Sequence, residues 1–280
     1  MKIRITTLSE NTALWAGLLA EHGLSILIET DTVNILFDTG VSVSVCHNAD
    51  TLGIDLGKLD KIVLSHGHHD HTGGLREILK KIHKKIDIIA HPDIWAAKYA
   101  GRKGQEFRYI GIPFQLRELE SIGAKFNLTR KPVEITDKIM TTGEVPMVTD
   151  FEQIDPSLFV KEDSDFVPDK FLDDQALILN TESGLVVIPG CAHHGVINTL
   201  YYAQQITGVK KIAMVLGGWH LTGTTEERIW RTIAALRELG VERIGVSHCT
   251  GLPASVILAR EFGDNFFFNN TGTRIELPED

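Results

Sequence analysis

The sequence predicts an α/β (α+β) fold made of two strand-rich halves, and three observations carry that expectation. Short apolar runs rich in Ile, Val and Leu recur along the chain. Stripes of apolar residues at helical spacing lie between some of them. Three runs, 61–64, 211–216 and 242–246, end at His-bearing loops. Taken in order, residues 2–8, 24–30 and 33–38 read as strands, the last two joined by the turn Asp31-Thr32. Lys61-Ile62-Val63-Leu64 is the next strand. Leu75, Ile78, Leu79 and Ile82 then recur at helical spacing, with Lys80, Lys81, Lys84 and Lys85 outside the stripe as a solvated face. Residues 86–90 read as a strand, and Pro92 as the opening of a short helix through Tyr99. Residues 176–180 and 185–189 form a hairpin around Glu182-Ser183-Gly184. Thr224 with Glu227 fits a capping box opening a helix that turns Ile229, Ile233 and Leu236 inward.

Composition fits a soluble globular enzyme, and the length allows one large domain or two small ones. The chain has 280 residues, 43% of them hydrophobic, enough to bury a sizeable core. Its net charge of −9 and lack of a long basic run disfavour nucleic acid as a partner. Cys46, Cys191 and Cys249 make an odd count without disulfide-framework spacing. The amino terminus, Met1 to Thr6, reads as a strand and lacks the apolar core of a signal peptide, and no window reaches membrane-span length. A cytoplasmic protein acting on a small molecule is the expectation.

The chemistry concentrates in Ser65-His66-Gly67-His68-His69-Asp70-His71, which places three imidazoles and a carboxylate at a strand end as H-x-H-x-D-H. In an extended segment His66 and His68 point to one side and reach one metal, while Asp70 and His71 fall on the following turn, placed to ligate a second. His69 alternates away. Imidazole with carboxylate suits zinc, with iron and manganese as substitutes.

These residues resemble the signature of the metallo-β-lactamase superfamily. Phe37-Asp38-Thr39-Gly40, Gly73-Gly74-Leu75, Gly190-Cys191-Ala192-His193, Gly217-Gly218-Trp219-His220-Leu221 and Ser247-His248-Cys249-Thr250-Gly251 follow in superfamily order. The last three resemble the branch named for dihydropterin ribofuranosyl-aminobenzene phosphate synthase. The resemblance spans essentially the whole chain. It implies a four-layer αββα sandwich over 1–280, with the metal site at one edge and a variable insertion around 100–172 that covers the substrate or completes the sheet edges. It also implies ligands far along the chain: His193 joining His66 and His68 on the first metal, and His248 joining Asp70 and His71 on the second. His193 has the alternative of a supporting loop histidine. Cys191 stands where many relatives carry a bridging Asp, and reads either as a thiolate ligand or as a small buried residue. Asp174 is a weaker candidate as ligand or supporting carboxylate. Asp38 reads as support for a metal-bound imidazole. His220 reads as a substrate contact and proton donor or as a packed ring. Cys46 and Cys249 receive no role.

Two divalent metals imply hydrolysis of a phosphodiester, ester or lactone, with Asp70 orienting water and accepting a proton and His220 protonating the leaving group. The branch name implies a C–N bond-forming synthase as the alternative. A redox or non-catalytic metal-binding role ranks third. An anionic substrate needs a local cationic pocket, which Arg102, Lys103 and Arg108 of the insertion are placed to supply.

Overall fold

The computed structural model describes residues 2–102, 104 and 106–278, so Met1 and Lys103 lie outside the described residues. The first part of the chain runs β1 (Ile3–Ser9), β2 (Ser25–Thr30), β3 (Asn34–Phe37), α1 (Ser44–Thr51), β4 (Lys61–Val63), α2 (His69–Thr72), α3 (Leu75–Ile82) and β5 (Ile86–Ala90). The middle runs β6 (Lys98–Ala100), β7 (Arg108–Tyr109), α4 (Leu116–Ser121), β8 (Ala124–Leu128), β9 (Ile139–Thr141), β10 (Leu158–Glu162) and β11 (Asp165–Pro168). The last part runs β12 (Ala176–Thr181), β13 (Gly184–Pro189), α5 (Val196–Thr207), β14 (Ile212–Gly218), α6 (Glu226–Glu238), β15 (Arg243–Ser247), α7 (Leu252–Phe262), β16 (Phe266–Phe268) and β17 (Arg274–Leu277).

Side-chain alternation explains the layering. In β2, Ile26 and Ile28 face one way into a core shared with Leu177, Leu179, Val186 and Ile188 of β12 and β13. Leu27, between them, faces the other way onto Val45, Leu75, Ile78, Leu79 and Ile82 of α1 and α3. β12 and β13 repeat the device. Ile178 and Val187 meet Val196, Ile197, Leu200, Ile229, Ile233 and Leu236 of α5 and α6. Strands apolar on both faces must be covered on both, which gives helices, sheet, sheet, helices: the αββα arrangement. One sheet has the order β17-β1-β2-β3-β4-β5-β8, the other β16-β15-β14-β13-β12-β9. Within them β3, β4 and β5 are parallel, as are β13, β14 and β15.

The middle segment divides its work. β8 and β9 extend the edges of the two large sheets, whereas β6, β7, β10 and β11 form a separate four-stranded sheet ordered β11-β10-β6-β7.

Three local expectations need correction. Pro92 opens a 3-10 turn that ends at Trp95, not a helix through Tyr99, because Lys98 is drawn into β6 opposite Val160. The sequence also carries a helical signal from Phe114 to Ile122, but α4 begins only at Leu116, since Gln115 is extended. α6 is capped by Thr225, whose hydroxyl accepts from the Arg228 N–H. The Thr224 N–H is already bonded to the Leu221 carbonyl, so the capping box with Glu227 does not form. Among the described residues no helix is long and apolar enough to cross a membrane.

Candidate metal centre

The parallel strands aim their carboxyl ends at one edge of the sandwich, where loops after such strands build sites. The loop after β4 delivers His66 and His68, that after β13 delivers Cys191 and His193, β14 leads to His220 and β15 to His248. Asp70 and His71 follow on α2, a single helical turn rather than an open one. Among the described residues seven non-glycine residues have positive φ, and five of them (Asp38, Phe171, Ala192, His220, His248) sit in this region. Each such conformation costs about 1–3 kcal/mol, so the surrounding packing holds these side chains in place against local preference.

His66, His68 and His193 form one trio of buried donors. Nε2 of His66 lies 3.0 Å from Nδ1 of His68 and 3.3 Å from Nε2 of His193. Two nitrogens each about 2.0–2.1 Å from a tetrahedral zinc lie roughly 3.3 Å apart. Burial holds all three rings well below the usual imidazole pKa, so they are neutral, with lone pairs to give. Phe171 closes this side by stacking on His193 at 3.9 Å between ring centroids.

The second expected set is distributed differently. Oδ2 of Asp70 lies 3.3 Å from Nε2 of His248 and 3.3 Å from Nε2 of His22, and these three form one group. His71 is grouped with His66 and Cys191, its Nε2 3.2 Å from the Cys191 sulfur. Burial opposes ionisation of Asp70, but the hydrogen bonds from His22 and His248 outweigh it and hold its pKa well below the ordinary value. Cys249, given no role on sequence grounds, joins Cys191 and His248 in a further group, and its sulfur accepts the His220 N–H at 3.2 Å. Its position next to His248 was the available signal. His22 had none, because its approach to Asp70 is set by the Leu24 N–H bonding the Asp70 carbonyl.

Supporting bonds fix which ring nitrogens point inward. His71 Nδ1 donates to Asp38 Oδ2 at 2.7 Å. Ser65 Oγ donates to the same oxygen at 2.7 Å and accepts from His66 Nδ1 at 2.8 Å. His248 Nδ1 donates to Asn11 Oδ1 at 2.9 Å, while Glu10 accepts the His248 N–H at 2.6 Å. Each arrangement leaves Nε2 free for the centre. Burial works against a charged His71, but Asp38 outweighs it and pushes the ring up to about 9. Gly190 is required here, because a Cβ would come 2.1 Å from Ser65 Oγ. Asp173 accepts the Gly67 N–H at 2.8 Å, and Lys98, buried beneath it, binds both Asp169 and Asp173.

Asp174 and His69 stand outside the donor groups, whereas His220 forms one with Cys191 and His193. Asp174 accepts the His194 N–H at 2.9 Å and braces the His193-His194 turn. His69 turns to the Ile110 carbonyl. His220 faces the cavity with neither ring nitrogen in a hydrogen bond, and Nε2 is 3.6 Å from Asp155 Oδ2. Burial disfavours its charge, but Asp155 and Cys249 override that and push its pKa up to about 10.

The donors open into a cavity of about 540 Å³ walled by Ala100, Arg108 and Leu158 of the small sheet, by Ile110 just after β7, and by Leu252 and Phe268. Arg102 lies instead in an adjoining cleft with Arg228 and Arg231, and His220 borders both spaces.

Residues 19–205 match the family model of the metallo-beta-lactamase superfamily. A curated relative from Methanocaldococcus jannaschii, 7,8-dihydropterin-6-methyl-4-(beta-D-ribofuranosyl)-aminobenzene-5'-phosphate synthase, is 37% identical over 282 residues, covering 94% of this chain and 93% of its own. A second protein of that organism, uncharacterized, is 33% identical over 98% of this chain and 100% of its own. A crystal structure described as a metal-dependent hydrolase of the beta-lactamase superfamily aligns with TM-score 0.85 and 31% identity, over 99% of this chain and 100% of that one.

Proposed function

Because the chain belongs to the metallo-β-lactamase superfamily, in the branch of the synthase-named relative, we propose that it is a metal-dependent hydrolase of a phosphodiester, ester or lactone. The spacing of the His66, His68 and His193 nitrogens, 3.0 and 3.3 Å, is the observation that carries this reading. These three residues would hold one divalent ion; Asp70 and His248, grouped with His22, would hold a second, with His71 supplied from beside Cys191. Zinc suits the donors, with iron or manganese as substitutes. Bound there, the pair would supply water acidified to a pKa of about 7 and polarisation of the scissile bond.

The chain's own residues do the rest. Ionised Asp70 orients the attacking water by accepting its hydrogen bond; with its pKa held low, orientation is favoured over proton uptake. His220, at the cavity wall with both nitrogens free of hydrogen bonds, donates the proton to the leaving group. Ile110, Leu158 and Phe268 exclude bulk water, and Arg108 offers a cation to an anionic small-molecule substrate. The organisation as a single domain with its insertion over the cavity, and a cytoplasmic setting, belong to the same proposal.

A C–N bond-forming synthase is the second reading, favoured by the name of the 37% identical relative. Turnover in labelled water separates the two. A hydrolase puts the labelled oxygen in its product with one organic substrate present, and loses metal and activity together when His68 becomes Ala. A synthase turns over only with a second, pterin-like substrate and incorporates no label. Equal metal content in wild type and His68→Ala would sink both readings.

A further inference from the structure

Cys191 is the hub of the centre. Among the described residues it belongs to three of the five donor groups, in each of which the donor atoms lie within 4.8 Å of one another. Through them its sulfur reaches His66 and His193 on one side and His71 and His248 on the other. The neighbouring Ala192 and Ile188 join apolar cores, whereas the Cys191 sulfur faces imidazoles, His71 Nε2 at 3.2 Å. A side chain present only to fill space has no need of such neighbours, and a sulfur between two donor sets is placed to serve both.

We propose that the Cys191 thiolate bridges the two metal positions and so makes the centre favour zinc or ferrous iron over magnesium, with manganese a weaker substitute. The inference rests on the metal-dependent reading above and adds the ligand that joins its two halves. On binding, the S–H bond breaks, the sulfur pair goes to the cations and the proton to solvent. Thiolate favours the softer ions, while carboxylate and water suit magnesium and manganese. The loop carrying Cys191 is held by the strained Ala192 (φ 50°), and a side chain on Gly218 would come 2.8 Å from the Cys249 sulfur and 3.5 Å from the Cys191 Cα.

Cobalt substitution of the full chain tests this. Visible ligand-field bands and bound stoichiometry report whether metal binds at all, and a near-ultraviolet thiolate-to-cobalt charge-transfer band reports the sulfur. The expected result is about two equivalents of cobalt with a strong charge-transfer band. That band should be lost in Cys191→Ser, which still takes up one equivalent, and kept in Cys249→Ser. A cobalt-loaded wild type without the band, or a band that survives Cys191→Ser, overturns the proposal while leaving the metal reading intact. Failure to bind cobalt overturns both. Should Cys191→Ser not fold, mass-mapped alkylation of wild type decides: metal must slow modification of Cys191 at least tenfold relative to the chelated protein, and equal rates refute the bridge.

Discussion

The Asp38 carboxylate lies 2.7 Å from Nδ1 of His71 and, through Ser65 Oγ, also holds His66, so one buried acid orients an imidazole in each donor set. Removing it frees two rings at once. Asp38→Ala is expected to weaken metal binding about 10–100-fold, measured by competition with a chromogenic chelator. Unchanged affinity would show that packing alone orients the rings.

His220 is expected to matter in proportion to the leaving group. His220→Ala removes a proton donor that borders the cavity and contacts no other donor by a ring hydrogen bond. Its kcat should fall about 10²–10⁴-fold on substrates with poor leaving groups and far less on activated esters. Equal losses on both would assign His220 to structure.

Lys98 gives a pH signature. Burial disfavours its charge, but Asp173 and Asp169 outweigh that and raise its pKa above 10.5. A cation whose folded pKa exceeds its unfolded one contributes stability that is complete below the unfolded value and is lost as pH rises through the folded one. The melting temperature should therefore fall above about pH 10.5, beyond the ordinary lysine value, and Lys98→Met should flatten that fall. At neutral pH the same variant leaves two buried carboxylates unpaired and should cost about 3–5 kcal/mol in urea unfolding. A loss under 1 kcal/mol would mean that the pair is not closed in solution.

Glu152 serves as a cap brought from outside the helix. Its carboxylate accepts the Ile197 and Asn198 N–H groups at 2.9 and 2.8 Å, at the positive end of α5. Glu152→Ala is expected to cost about 1–2 kcal/mol. Gly195→Ala should cost more, because φ is 101° and the new Cβ would lie 2.1 Å from the Glu152 carboxyl carbon. In the double variant the clash disappears and the strain remains, so the two losses should add to less than their sum; strict additivity would contradict the contact.

What the sequence discloses of this centre follows contact distance along the chain. His66, His68, Asp70 and His71 are legible because six consecutive positions place them together. The two-faced burial of β2, β12 and β13 is legible because alternation is local, and the αββα layering follows from it. His22 is not legible, since nothing near it in sequence specifies Asp70 as its neighbour. The second donor set is likewise regrouped by tertiary contacts, which place His71 against Cys191 and leave Asp70 between His22 and His248. Where two adjacent residues compete for one turn, as Thr224 and Thr225 do, the sequence points to the turn and the hydrogen bonds choose between them.

β17 pairs with β1, Ile275 opposite Ile5, although almost the whole chain separates them. Thr7 likewise bonds Asn269, and Glu10 bonds the His248 N–H. During synthesis β1 therefore emerges well before the strand that covers its edge. Until residues 274–277 emerge, the nascent chain carries an open β-edge beside a half-assembled cluster of histidines.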